Sequence, residues 1–204
     1  MLDLLDYRRQ TFELYRTIRE QGTDNPASFS YFKSVRDNLF AHHSQSPLDA
    51  ARKARFTGLV YEDYNPAYRL TVPLKLFEQP VDYDVSAGDD GMFTMRQIGE
   101  VQINLPEGQG TFGVFWLAIY GGGIFIPFRD ATNGEQTYGG GRYLLDTIKG
   151  ADMGMIADEM VLDFNYAYHP SCHYNFQWVC PLAPPQNRLN FPVYAGEQAF
   201  ADAK

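Results

Sequence analysis

The first part of the chain has the hydrophobic spacing of one amphipathic helix. Large apolar side chains recur at intervals that place them on one helix face: Leu5, Phe12, Tyr15 and Ile18. Asp3 is suited to cap the start of this helix through its carboxylate, and Gly22 is suited to end it with a positive φ. The pattern therefore predicts a first helix between Asp3 and Gly22.

Two further helices are predicted upstream of Phe56. Asn25 followed by Pro26 is typical of a helix start, because Asn accepts a hydrogen bond from the first turn and Pro lacks an N–H that would be left unpaired there. The apolar face of this second helix consists of Phe32, Val35 and Leu39. In SPLDAARKA, Ser46 as N-cap with Asp49 three residues later, close to a capping box, predicts a third, short helix.

From about Phe56 onward the hydrophobic period changes to two, which is typical of half-buried strands. In YRLTVPLKL, residues 68–76, apolar positions alternate with polar ones and with Pro73. Because Pro73 has no N–H to donate to a ladder, this strand is predicted at the edge of a sheet. VQINL, residues 101–105, repeats the alternation, and FGVFWLAIY, residues 112–120, is apolar throughout, as expected of a central strand.

Further short strands are predicted at GIFIPF, GRYLL, MVLDF and LNFPVY, which are separated by turn residues. Strands follow one another without helices between them. The fold class is therefore predicted to be α+β, with N-terminal helices packed on a mostly antiparallel β-sheet curled into a sandwich or partial barrel. We expect a single domain over residues 1–204, with a helical part at 1–55 and a β-rich core at 56–204.

The segment 165–188 interrupts the strand pattern and carries four prolines. We call it the Pro-rich loop. Loops of more than about 12–15 residues are uncommon in compact domains and are often functional. The loop is therefore a predicted location for a site.

The charge of the chain narrows the range of partners. A net charge of −8 disfavours nucleic acids and anionic membrane surfaces, which bind clusters of Lys and Arg that this sequence lacks. No apolar run reaches the roughly 20 residues of a membrane span, and the first residues lack the pattern of a secretion signal. We expect a soluble, cytoplasmic protein without nucleic-acid or membrane partners. The oligomeric state stays open.

The Pro-rich loop contains HPSCHYNFQWVC, residues 169–180, with both cysteines of the chain. The spacing of His169, Cys172, His173 and Cys180 matches no standard zinc module, so no metal is predicted. A non-standard metal site therefore stays open only as an alternative, beside three others: a Cys172 thiol activated by the flanking imidazoles, a Cys172–Cys180 disulfide, or two inert thiols that fill space.

A second group of polar residues lies at the ends of the predicted strands. Arg142 is suited to bind a carboxylate or phosphate through paired N–H donors, and Asp130 or Asp163 is suited to act as a general base if its pKa is raised. In the alternative interpretation, Arg142 pairs internally with Asp163 or Glu197, and Asp130 only closes a turn. The predicted ligand-binding residues are Arg142, Tyr143, Asp130, Tyr138, Asp163, Asn165, Cys172 and Cys180.

Several motifs resemble those of a bacterial and archaeal family known as domain of unknown function 1684. They are FIPFRDATNGEQTYGGGRYLL at 125–145, VLDFNYAYHPSCHYNFQWVCPLAPPQNRL at 161–189 and VYAGE at 193–197. The resemblance implies that Cys172 and Cys180 belong to the family motif, whereas His169 and His173 do not. It implies no catalytic residue, since the family has no assigned activity.

Three functional hypotheses follow. The first is a binding domain in which the Pro-rich loop and the neighbouring GRYL and DFN motifs form an aromatic-lined pocket for a small anionic ligand around Arg142. The second is a hydrolase-type enzyme that uses Asp130, Asp163 or Cys172. The third is a structural or interaction protein in which the motifs only stabilise the fold. No cofactor is predicted, because the glycine runs lead into a strand and not into a helix.

Overall fold

The computed structural model describes residues 1–86 and 91–199, with two long and two short α-helices in these ranges. The helices are α1 (Leu2–Gln21), α2 (Pro26–His42), α3 (Ala50–Lys53) and α4 (Ser171–Tyr174). The three helices predicted near the N-terminus are present as α1 to α3. The short helix α4 lies inside the Pro-rich loop and was not predicted.

The helix ends follow the predicted capping residues at α2 and at the end of α1. Asn25 caps α2 by accepting a hydrogen bond from the Ala27 N–H at 2.9 Å. Gly22 ends α1 with a φ of 94°, a conformation that glycine adopts without a Cβ clash. The predicted cap of α3 is wrong, because Asp49 and not Ser46 accepts a backbone N–H of its first turn.

The buried face of α1 is shorter than predicted. Tyr15 and Ile18 are buried, but Leu5 and Phe12 are exposed. Only the C-terminal half of α1 packs into the core, and its N-terminal half borders a cavity that is described below. Asp3 lies within the first turn and does not cap it.

The larger sheet has five antiparallel strands in the order β2–β3–β4–β5–β6 within the described residues. Their bounds are β2 (Lys75–Ser86), β3 (Met92–Leu105), β4 (Gly108–Leu117), β5 (Gly123–Phe128) and β6 (Arg142–Asp146). The predicted central strand is confirmed as β4, whose residues 112–115 are all buried. The long hairpin of β2 and β3 was predicted only at its base.

The smaller sheet has the order β1–β8–β7, with β1 (Arg69–Pro73), β7 (Met155–Ile156) and β8 (Glu159–Asp163). Pro73 ends the edge strand β1, as predicted. The prediction of one strand over 68–76 is wrong, because the chain leaves the smaller sheet after Pro73 and enters the larger sheet at Lys75. The strand predicted at LNFPVY is also wrong. Its backbone instead bonds to the segment after β5, through contacts such as Leu189 N to Arg129 O at 2.8 Å.

The predicted fold class, α+β with mostly antiparallel sheet, is confirmed. The two sheets share one apolar core, in which Val101 and Phe112 of the larger sheet meet Leu162 of the smaller. A second core joins Ile18 and other helix residues to the larger sheet. Among the described residues the strands form no closed barrel, and no helix is long and apolar enough to cross a membrane.

Candidate functional site

Arg142, the centre of the predicted site, lies entirely inside the protein. Its Nη2 donates to Asp130 Oδ2 at 2.8 Å and to the Val193 carbonyl at 3.1 Å, and its Nη1 donates to the Ala195 carbonyl. The guanidinium also packs on the Phe128 ring, and its side chain has no exposed surface. Arg142 thus joins β6 to the segment near residue 195, and it lines neither of the two cavities described below. The alternative interpretation, internal pairing, describes it better, although the partner is Asp130.

Asp163 and Asn165 form a separate structural cluster at the end of β8. The Asn165 side chain bonds to both backbone groups of Asn65, at 2.9 Å each, and thereby joins the smaller sheet to the segment before β1. Asp163 Oδ1 accepts the Asn165 backbone and side-chain N–H groups. Burial raises the pKa of Asp163 to about 7, against the opposing effect of those hydrogen bonds. Neither side chain lines a cavity described below.

The remaining predicted residues meet at the Pro-rich loop. The Tyr143 hydroxyl donates to the Pro181 carbonyl at 2.7 Å, and the Tyr138 hydroxyl lies 3.7 Å from Cys172 Sγ. Cys172 and Cys180 are free thiols, and the Cys172 N–H donates to Cys180 Sγ at 3.4 Å. Within residues 1–86 and 91–199, no group of three or more His, Cys, Asp or Glu side chains is placed to hold a metal ion.

A cavity of about 340 Å³ lies under one side of the Pro-rich loop. Its walls come from α1, α2, the segments near residues 45–47 and 148–151, and the loop itself. We call it the Arg36 cavity, after the charged group at its wall. Of the eight predicted site residues, only Cys180 lines it. Its apolar and aromatic lining includes Leu4, Tyr7, Tyr15, Leu39, Tyr168 and Trp178.

Arg36 carries a guanidinium surrounded by aromatic rings. Its charged carbon lies over the rings of Phe32, Phe40 and Tyr168, at 5.5, 5.3 and 5.0 Å from their centroids. Its Nε donates to the Tyr61 hydroxyl at 2.7 Å, and its Nη2 donates to Glu197 at 2.9 Å. Its Nη1 has no acceptor among the described residues, and the side chain lines the cavity.

The ionisation states of His169 and Glu197 determine the charge that lies beside Arg36. The Tyr138 backbone N–H donates to His169 Nε2 at 3.1 Å, so the ring proton sits on Nδ1, 3.6 Å from Glu197 Oε1. Burial lowers the pKa of His169 and keeps it neutral. Burial alone would raise the pKa of Glu197, but the Arg36 charge and the contacts with His169 outweigh it and lower that pKa. Glu197 therefore stays ionised and paired with Arg36.

Two further cations, Arg8 and Lys149, line the Arg36 cavity, and both are exposed. No Asp or Glu is among the described residues that line it. Burial raises the pKa of Tyr15 and of Tyr168, so both phenols stay protonated near neutral pH. The cavity therefore presents cations, phenols and apolar walls, an arrangement that can attract an anion with an apolar body.

Sequence reasoning missed Arg36, although a signal for it is present. Phe32, Arg36 and Phe40 follow one another at intervals of four residues, so they form one stripe on α2. Phe32 was predicted on the buried face of α2, but Arg36 in the same stripe was not predicted as a site residue. Arg8, Lys149 and Trp178 give no comparable signal, because only the tertiary fold brings α1 and residue 149 to the Pro-rich loop.

A second depression, of about 980 Å³, lies open to the surface between α1 and α2. Arg9, Phe12, Arg16 and Ser34 are among its lining residues, together with the acidic Glu13. It is larger than the Arg36 cavity but open and of mixed charge. We therefore consider the Arg36 cavity the better candidate site.

Comparisons with known proteins place the chain in a family. No curated protein matches it. A solved structure, the solution NMR structure of an uncharacterised protein from Haloarcula marismortui, is 31% identical, with a TM-score of 0.60, over 86% of this chain and 95% of that chain. The family model described as "Protein of unknown function (DUF1684)" matches residues 54–198. The match covers the Pro-rich loop and both cysteines, and the chain accordingly belongs to this family.

Proposed function

We propose that this protein binds a small molecule that combines an anionic group with an apolar or aromatic body, in the Arg36 cavity. The proposal rests on the composition of the cavity wall. Arg8, Arg36 and Lys149 line the cavity, and no carboxylate among the described residues does. Arg36 and Lys149 have carboxylate partners outside the lining, Glu197 and Asp146, so cations exceed carboxylates at the cavity surface although the chain has a net charge of −8. This excess favours an anion over a neutral or cationic ligand.

The size and the apolar lining support the same class of ligand. Small-molecule sites are typically clefts of about 300–1,000 Å³, mostly apolar, with a few polar groups that fix orientation. A cavity of about 340 Å³ accommodates a small organic acid and is at the lower limit for a larger ligand. The free Nη1 of Arg36 supplies the orienting donor, and Leu39, Tyr15 and Trp178 supply apolar contact.

The two other hypotheses have less support. Asp130 and Asp163 are buried and bonded to protein groups, and neither lines the Arg36 cavity, which weakens the hydrolase hypothesis. The internal bonds of Arg142 and Asn165 support a stabilising role for the family motifs. That role is compatible with ligand binding, because the motif residues and the cavity cations are different groups.

A thermal-shift screen tests the charge requirement. Small aromatic and medium-chain carboxylic acids are compared with their primary amides, which have nearly the same shape without the charge. We expect at least one acid to raise the melting temperature and its amide to have no effect, because only the acid compensates the cavity cations. If no acid stabilises the protein, or if the amides do so equally well, the proposal is wrong.

A pair of neighbouring arginines on α1 then assigns the site. Arg8 lines the Arg36 cavity, whereas Arg9 lines the open depression between α1 and α2. Arg8→Ala should raise the Kd for the acid about three- to fivefold, as expected for a partly exposed charge contact. Arg9→Ala removes the same charge one residue away and should leave the Kd unchanged. Equal effects of the two substitutions would place the ligand elsewhere.

A further inference from the structure

The two cysteines of the chain, Cys172 and Cys180, are in contact within the Pro-rich loop. Cys172 lies in the short helix α4, and the chain returns so that Cys180 Sγ accepts the Cys172 backbone N–H at 3.4 Å. Two sulfurs in this relation are within reach of a disulfide after a small movement of one side chain.

The environments of the two thiols differ. Cys180 is half-buried and lines the Arg36 cavity, so a small solute can reach it. Cys172 is buried, with the Tyr138 hydroxyl 3.7 Å from its sulfur. The Cys172 thiol, the Cys172 N–H and the charge of Lys149 all favour a thiolate at Cys180 and lower its pKa. The same pairing, together with burial, raises the pKa of Cys172.

We propose that Cys180 and Cys172 form a hydroperoxide-reactive dithiol site, in which Cys180 is attacked by the oxidant first and Cys172 resolves the product to a disulfide. The access of Cys180 from the cavity, the Cys172 N–H that donates to its sulfur and the adjacent second thiol support this assignment of roles. It does not depend on the ligand proposed above, since the reaction needs only the two cysteines and a hydroperoxide.

The chemistry balances in two steps. The Cys180 thiolate attacks the terminal oxygen of the hydroperoxide, and an S–O bond forms as the O–O bond breaks. The leaving group, an alkoxide or, from hydrogen peroxide, hydroxide, takes up a proton to give an alcohol or water. The Cys172 sulfur then attacks Cys180, an S–S bond forms as the S–O bond breaks, and the hydroxide leaves with the Cys172 proton as water. Two thiols are oxidised and one hydroperoxide is reduced.

Differential alkylation of the wild-type protein tests the asymmetry. Brief treatment with iodoacetamide at neutral pH, followed by mass spectrometry of the peptides, gives the reaction rate of each cysteine. We expect Cys180 to react about tenfold faster than Cys172 or more, because the thiolate is the nucleophile. Equal rates, or a faster Cys172, would overturn the assignment of roles.

Hydrogen peroxide tests the pairing. A slight excess should convert the wild-type protein to a monomeric disulfide that dithiothreitol reverses. Cys172→Ser should instead accumulate a sulfenic acid at Cys180, which dimedone traps, whereas Cys180→Ser should give about tenfold less adduct at Cys172. Retention of both thiols in the peroxide-treated wild type contradicts the proposal, as does a dimedone adduct found mainly at Cys172. Disulfide formation is measured in the wild-type protein, so this result is valid even if a serine variant folds poorly.

Discussion

Arg142 is fully buried and Arg36 is partly buried, and their guanidiniums have different surroundings. Arg142 gives its terminal nitrogens to Asp130 and to backbone carbonyls, so a ligand would have to displace protein acceptors. Arg36 is bonded to Tyr61 and Glu197 on one side only and borders a cavity on the other. The two residues therefore differ in where an unpaired donor lies. The Nε of Arg142 is unpaired but enclosed, and Arg142 lines neither cavity, whereas Arg36 lines one of them.

Asp163 is a single residue whose ionisation should be visible in the stability of the protein. Its pKa rises from 3.8 to about 7 on folding, mainly because burial removes the carboxyl group from water. Well below about pH 4 the carboxyl group is protonated in the folded and in the unfolded protein, so its ionisation does not change the free energy of unfolding. Between about pH 4 and 7 the unfolded chain ionises while the folded chain does not, so the free energy of unfolding falls as pH rises.

The substitution Asp163→Asn removes this dependence and keeps an oxygen for the Asn165 N–H groups. We expect the free energy of unfolding of the variant, minus that of the wild type, to increase by on the order of 3 kcal/mol between about pH 4 and 8. Urea unfolding at intervals of pH measures both proteins. Parallel stability curves across this range would show that Asp163 has no raised pKa in the folded protein.

The Pro-rich loop is the element that connects the motifs to the cavity. Polar contacts hold the loop at two points in its middle: the Tyr143 hydroxyl donates to the Pro181 carbonyl, and Arg52 donates to the Tyr174 carbonyl. Between these contacts, Phe176, Trp178 and Val179 are exposed. The loop is thus held on both sides of these exposed apolar side chains, of which Trp178 and Val179 line the Arg36 cavity.

Trp178 should report on a ligand in the Arg36 cavity. The chain has two tryptophans, with Trp178 at 41% and Trp116 at 39% exposure, so each is a control for the other. In Trp116→Phe, binding of an acid found in the screen should shift the Trp178 emission to shorter wavelength, because the ligand excludes water from the indole. Trp178→Ala should raise the Kd about fivefold, the loss of roughly 1 kcal/mol of aromatic contact.

The reciprocal variant completes this experiment. In Trp178→Phe, the remaining Trp116 lies on β4, outside the Arg36 cavity lining, and its emission should not change on binding. A shift at Trp116 with none at Trp178 would contradict the proposed location.

At the scale of the whole molecule, local signals predicted more than long-range ones. The Asn25 cap, the Gly22 end and the central strand β4 follow from short patterns, and all three are present. The split between β1 and β2 was not predictable, because a strand that changes sheets keeps the same alternation. The site was only half predicted. The Pro-rich loop borders the cavity, but its partner helices come from the other end of the chain, and no local pattern records which arginine they carry to it.

The molecule therefore separates residues that hold the fold from residues that surround the cavity, and Asn187 tests this separation. Its side chain accepts the Gly113 N–H at 2.7 Å and donates to the Gly113 and Pro127 carbonyls at 3.0 and 2.8 Å. Asn187→Ala leaves these buried groups unpaired and should lower the free energy of unfolding by roughly 2–5 kcal/mol. Gln186→Ala, at a half-buried neighbour with one 3.3 Å side-chain bond, should cost less than about 1 kcal/mol.

Ligand binding should divide the same variants in the opposite way. Where Asn187→Ala is folded, its Kd for the acid should equal that of the wild type, because Asn187 lies outside the lining of the Arg36 cavity. Arg8→Ala should retain wild-type stability to within about 0.5 kcal/mol, since its side chain is exposed, and yet bind more weakly. Urea unfolding measures the free energy of unfolding of each variant, and ligand titration measures its Kd for the acid. Loss of stability and of affinity together in Arg8→Ala would mean that the cavity cations hold the fold, and that the binding proposal has mistaken a structural group for a site.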